Sequence, residues 1–174
     1  MIRSLVITFL VLLTLPIFSQ AQDGNKGRPS PPKVYETTAG GGKISIHYNA
    51  PSVKGREIWG KLVPYKKIWR TGANEATSFE SDVDLLIEGQ LLPKGKYALF
   101  TIPDKNEWTI IFHSNVNQWG VYEYKEEGDV LRVKVKPLQS TSFQEQLLFT
   151  SVPDGIAIVW ENLSVPFTIK YSAK

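Results

Sequence analysis

"KYALFTIPDKNEWTIIFH", residues 96–113, decides how the rest of the chain is read. Two short runs rich in Tyr, Leu, Phe, Thr, Ile and Trp flank "PDKN", a turn signature, so the stretch predicts an antiparallel hairpin. The rhythm continues on both sides. "KISIHYN" (43–49) alternates, with Ile44, Ile46 and Tyr48 on one face and Ser45 and His47 on the other. "DVLRVKVKP" (129–137) sends Leu131, Val133 and Val135 inward and Arg132 and Lys134 outward. "DLLIEG" reads as a strand, and the Pro93 and Gly95 of "QLLPKG" suit a turn before the hairpin. "EQLLFTSV", "GIAIVWEN" and "SVPFTIKY" read as three closing strands. No long run has a helical period. The expected fold is all-β, an antiparallel sandwich of about eight or nine strands with one long ordered loop.

The chain has 174 residues and opens with Arg3, an apolar block from Leu5 to Phe18, and small residues at Ser19 and Ala21. That is the pattern of a secretory signal, cut most simply after Ala21. Thr8, Thr14 and Pro16 interrupt the block, which is short of the roughly 20 apolar residues a membrane span needs. "QDGNKGRPSPPK" (22–33) is polar and rich in Gly and Pro, the composition of a flexible leader. Residues 34–174 then form a single domain. The expected location is periplasmic or extracellular, with no stable membrane span once the signal is removed.

The formal charge of +3 is spread along the chain, and the longest basic run is Lys66-Lys67, so no stripe exists to track a nucleic-acid backbone. The absence of cysteine excludes disulfides, thiolate metal sites and a Cys nucleophile. His47 and His113 are the only histidines and lack metal-ligand spacing, so neither a metal site nor a cofactor is expected.

One segment breaks the strand rhythm. "PSVKGREIWGKLVPYKKIWRTGANEATSF" (51–79) holds Gly55, Gly60, Gly72 and Pro64 for contour, Trp59, Tyr65 and Trp69 for surface, and Arg56 and Arg70 as planar forks for anions. A connection this long inside a compact domain is usually functional. The blocks "YNAPSVKGREIWGKLVPYKKIWRTGANEAT", "LPKGKYALFTIP", "WTIIF", "WGVYEY" and "DVLRVKVKP" resemble, in order, a family of secreted bacterial proteins called domain of unknown function 2911. The resemblance spans roughly residues 34–171. It implies an exported, mostly β domain with no activity to carry over, and Asn is frequent in that family where this chain has His113.

Three functional readings follow. In the leading one, the long loop forms a pocket for a small polar or anionic ligand, such as a glycan fragment. Arg56 and Arg70 hold its charged or hydroxyl groups, Asn74 and Glu75 orient them, Trp69 or Trp119 stacks on a ring, and Arg132 completes an arginine cluster. In the second, two carboxylates among Glu57, Glu75, Glu123 and Asp129 hydrolyse a bond, with help from His113; a glycosidase needs such a pair about 5 or about 6.5–9.5 Å apart. In the third, the loop only braces the sandwich of an envelope interaction protein, its Trp and Arg side chains buried and mutually satisfied.

Overall fold

The computed structural model describes residues 28–39 and 41–172. The expected signal segment and residues 22–27 of the expected leader lie outside the described residues. Ten antiparallel strands form two sheets. The first sheet contains β1 (Pro32–Ala39), β2 (Gly42–Asn49), β3 (Thr77–Ser81), β6 (Gly95–Ile102), β7 (Trp108–His113) and β8 (Asp129–Val135), in the order β1-β2-β3-β6-β7-β8. The second contains β4 (Leu85–Ile87), β5 (Gln90–Leu92), β9 (Leu138–Val152) and β10 (Gly155–Tyr171), in the order β5-β4-β10-β9. Among the described residues no helix is long and apolar enough to cross a membrane.

The hairpin of residues 96–113 forms as its sequence predicts, with Ala98 opposite His113 and Ile102 opposite Thr109. Inward-facing Leu99, Ile110 and Phe112 join the core between the sheets, together with Ile44, Ile46, Phe79 and Val133. Ala98, Phe100 and Ile111 point the other way and are also fully buried. Both faces of β6 and β7 are therefore covered, which is why they read as nearly continuous apolar runs.

The second sheet differs from expectation. "GIAIVWEN" and "SVPFTIKY" are one strand, β10, kinked at Glu161, whose φ of +55° coincides with a shift in register against β9. "QLL" (90–92) is a strand of its own, joined to β4 by a tight turn in which Glu88 and Gly89 both take positive φ. β10 bends far enough that the N–H of Ile169 donates to the carbonyl of Asp154 at 2.9 Å, joining its two ends.

The long connection is ordered throughout. Residues 51–53 lie along β9, where Val53 N donates to Glu145 O at 2.7 Å and Leu147 N to Pro51 O at 2.9 Å. The chain closes a loop between Ile58 and Val63, then returns to the first sheet, where Trp69 and Thr101 exchange two 2.8 Å bonds. This path drives Trp59 and Trp69 into the end of the sandwich beside Trp108 and Trp160, with ring centroids 5.1–6.3 Å apart. Most of these contacts are edge to face, the arrangement the ring quadrupoles favour.

The expected leader is not loose over its described part. Pro32 and Lys33 already belong to β1, Pro31 O accepts from Ala50 N at 2.9 Å, and Arg28 pairs with Glu75 at 3.0 Å. Composition disfavours a core for this stretch, but backbone pairing with β2 and one ion pair hold it.

Candidate functional site

The outer face of the first sheet carries the site. Because Trp69 pairs with Thr101 and turns its ring into the core, the next residue, Arg70, falls on the opposite face beside Phe100. Phe100 pairs with Ile111, and Ile111 with Arg132, so one row across the sheet reads Arg70, Phe100, Ile111, Arg132. Ile68, Ala76, Val121 and Tyr124 cover the apolar middle of that row. The two arginines stand at its ends.

The cover is the segment between β7 and β8, and His113 anchors it. Asn115 N donates to His113 Nδ1 at 3.0 Å, so that nitrogen is an acceptor and the proton sits on Nε2, which donates to Lys125 O at 2.9 Å. The buried Gln118 amide also lies 3.1 Å from Nδ1. With both ring nitrogens committed to the loop, His113 positions backbone. Two further bonds, Ala76 N to Gln118 O at 2.9 Å and Gly120 N to Asn74 O at 3.1 Å, tie the segment to the end of the long connection. Gly120, at φ +64°, makes the turn that leaves Trp119 and Tyr122 exposed at 55% and 87%.

Arg132 is fully engaged. Its guanidinium binds Asp129 through Nε, the Tyr124 hydroxyl at 2.8 Å and Glu126 at 3.2 Å. The Tyr124 hydroxyl in turn donates to Asp129 at 2.8 Å. Burial, and then this bond to a carboxylate, push the Tyr124 phenol up to about 12. Arg56 lies elsewhere and spends its donors on its own turn, reaching Ser52 O at 2.6 Å and Val53 O at 3.1 Å. The expected cluster of Arg56, Arg70 and Arg132 is thus not gathered: backbone carbonyls hold the first and carboxylates the last.

Arg70 is different. Its side chain is half-buried, its Nε is fully enclosed, and it makes no side-chain hydrogen bond or ion pair among the described residues. Burial lowers its pKa from the ordinary guanidinium value, and the Tyr122 phenol opposes that shift. The next residue, Thr71, is buried at φ +54°, a strained conformation for a β-branched side chain, held by a 2.9 Å bond from Thr77 Oγ1 to its carbonyl. Strain is thus held in the turn that presents a cation with no side-chain partner among the described residues.

The other expected ligand-binding residues divide. Trp69 is buried, its indole nitrogen donates to Gly72 O at 3.1 Å, and its ring packs among tryptophans, so no face remains for stacking. Trp119 keeps that capacity. Asn74 takes the left-handed conformation suited to Asn, at φ +58°, but its side-chain amide donates back to Ser30 O. Glu75 accepts from Arg28 and from Asn49 at 2.9 Å. Burial raises the Glu75 pKa, but its own backbone N–H, Arg28 and Asn49 outweigh that and leave it below the ordinary carboxylate value. Both side chains therefore serve the start of β1 and do not face Arg70. Asp129 is occupied by Tyr124 and Arg132. Tyr122 is not among the expected ligand-binding residues, although the sequence sets it close to Tyr124, Asp129 and Arg132 and three residues after Trp119 in "WGVYEY".

Together these features define an all-β sandwich that displays a loop-borne cation near the exposed Tyr122, with Trp119 exposed on the same covering segment. Residues 30–169 match the family described as "Protein of unknown function (DUF2911)", and the chain belongs to it. Comparison with curated proteins and with solved structures returns no match.

Proposed function

We propose that this is an exported, non-catalytic binding domain whose ligand is a small anion carried on a polar, ring-shaped body, such as an acidic glycan fragment. The observation that carries the proposal is the half-buried Arg70 guanidinium without a partner among the described residues. A desolvated cation gains most from an anion that arrives with two oxygens to match its fork. Trp119 and Tyr122 supply the stacking surfaces. The brace reading accounts for the upper part of the loop, where Trp59 and Trp69 fill the core, but it leaves Arg70 unexplained. The hydrolase reading loses support because His113, Glu75 and Asp129 are each held by structural partners.

Calorimetric titration with oligogalacturonate and with its neutral methyl ester tests the proposal. Binding of the acid alone is expected, with a loss of about tenfold or more on Arg70→Ala or Trp119→Ala. Equal affinities for parent and Arg70→Ala, with the fold intact, refute it.

A further inference from the structure

A concavity of about 660 Å³ lies away from Arg70, where the sandwich opens between the free edge of β8 and the bent hairpin of β9 and β10. Its surface is mainly apolar. Val135 and Phe167 belong to the core and meet the cleft from within, while Pro166 and the exposed Leu138 extend the apolar lining outward. A volume of this size and character matches small-molecule sites, which are apolar with a few placed polar groups.

The charges at the rim sort into two kinds. Lys134 is neutralised by Glu107 at 2.7 Å, and the carboxylate of Glu88 accepts from the backbone N–H of Thr168. Lys136, at the entry to β9, and Asp154, in the turn between β9 and β10, make no ion pair among the described residues. Among the described residues the cleft thus offers one cation without an ion pair, Lys136, and two carboxylates without one, of which Glu88 is taken up by a backbone N–H and Asp154 is left for a ligand, above an apolar floor.

We propose that this cleft binds a single-chain zwitterionic amphiphile, its hydrocarbon chain along Leu138, Pro166 and Phe167, its anionic group at Lys136 and its cationic group at Asp154. The head is specified by both charges together. A purely anionic head leaves Asp154 facing like charge, a purely cationic head leaves Lys136 so, and an uncharged head satisfies neither.

The test is titration of the purified protein with four dodecyl compounds below their micelle concentrations: phosphocholine, sulfate, trimethylammonium and maltoside. Phosphocholine is expected to bind about tenfold tighter than each of the others. Lys136→Ala and Asp154→Ala each remove that preference, and Leu138→Asp, at an exposed position, abolishes binding without unfolding the protein. Arg70→Ala leaves amphiphile binding unchanged, which separates this site from the anion site. Equal binding of the four heads, no binding, or indifference to both charge substitutions overturns the proposal.

Discussion

Gly128 lies so close to the ring of His113 that a β-carbon built on it stands 2.4 Å from Nε2. The contact lets the Nε2 proton reach the Lys125 carbonyl, so the glycine and the histidine together set the loop that covers Phe100. Gly128→Ala is expected to destabilise the fold by about 1–3 kcal/mol through overpacking. Urea denaturation measures this. In combination with His113→Ala the two costs should add to less than their sum, because each breaks the same contact.

The tryptophan cluster and the exposed Trp119 call for opposite outcomes. Trp160→Ala, at the buried end of the cluster, is expected to cost about 3–5 kcal/mol and to collapse the near-ultraviolet dichroism of the packed rings. Trp119→Ala is expected to change stability by no more than about 0.5 kcal/mol. Thermal and chemical melts of the two variants make the comparison.

Replacing Arg70 by Met should leave stability equal to or above that of the parent. The substitution keeps an apolar stem of similar length and removes a charge whose partial burial no partner among the described residues offsets. A marked loss of stability on this change points to a structural partner for Arg70.

Acid should release the start of β1. The folded-state pKa of Glu75 is depressed, so its contribution is present above the ordinary carboxylate range and is lost as pH falls through the lower folded value. The Ala50 amide, which donates to Pro31 O, is therefore expected to be protected from hydrogen exchange near neutrality and to lose that protection in acid beyond the intrinsic pH effect. Glu75→Gln removes that pH dependence.

At the alkaline end, Tyr124 is the group to follow. Its raised folded pKa means that the neutral phenol supports the fold up to the ordinary tyrosine range, and the support fades as pH climbs toward about 12. Tyrosinate absorbance should show a late-titrating phenol that is missing from Tyr124→Phe.

The strands were legible because alternation at positions such as Ile44, Ile46 and Tyr48 has one physical cause, burial of one face. The run through Asn162 was divided because a kink at Glu161 resembles a turn in one dimension, whereas pairing with β9 continues past it. Trp69 reads as a platform in sequence because Gly72, shortly after it, suggests an open loop; the pairing with Thr101 that turns its ring inward joins residues far apart in sequence. Arg70 was identified by residue type alone. That it lacks a partner while Arg132 has three follows only from where Tyr124, Glu126 and Asp129 come to rest.

The bond between Asp154 and Ile169 also bears on how the molecule comes into being. The last strand secures the turn from which it starts, Gly155 fits there only because it lacks a β-carbon that would meet the Phe167 carbonyl, and β4, paired with β5 on one side, finds its second partner in residues 169–171. The second sheet consequently cannot close until residues 169–171 have emerged from the ribosome. Such non-local pairing makes for slow folding of the second sheet.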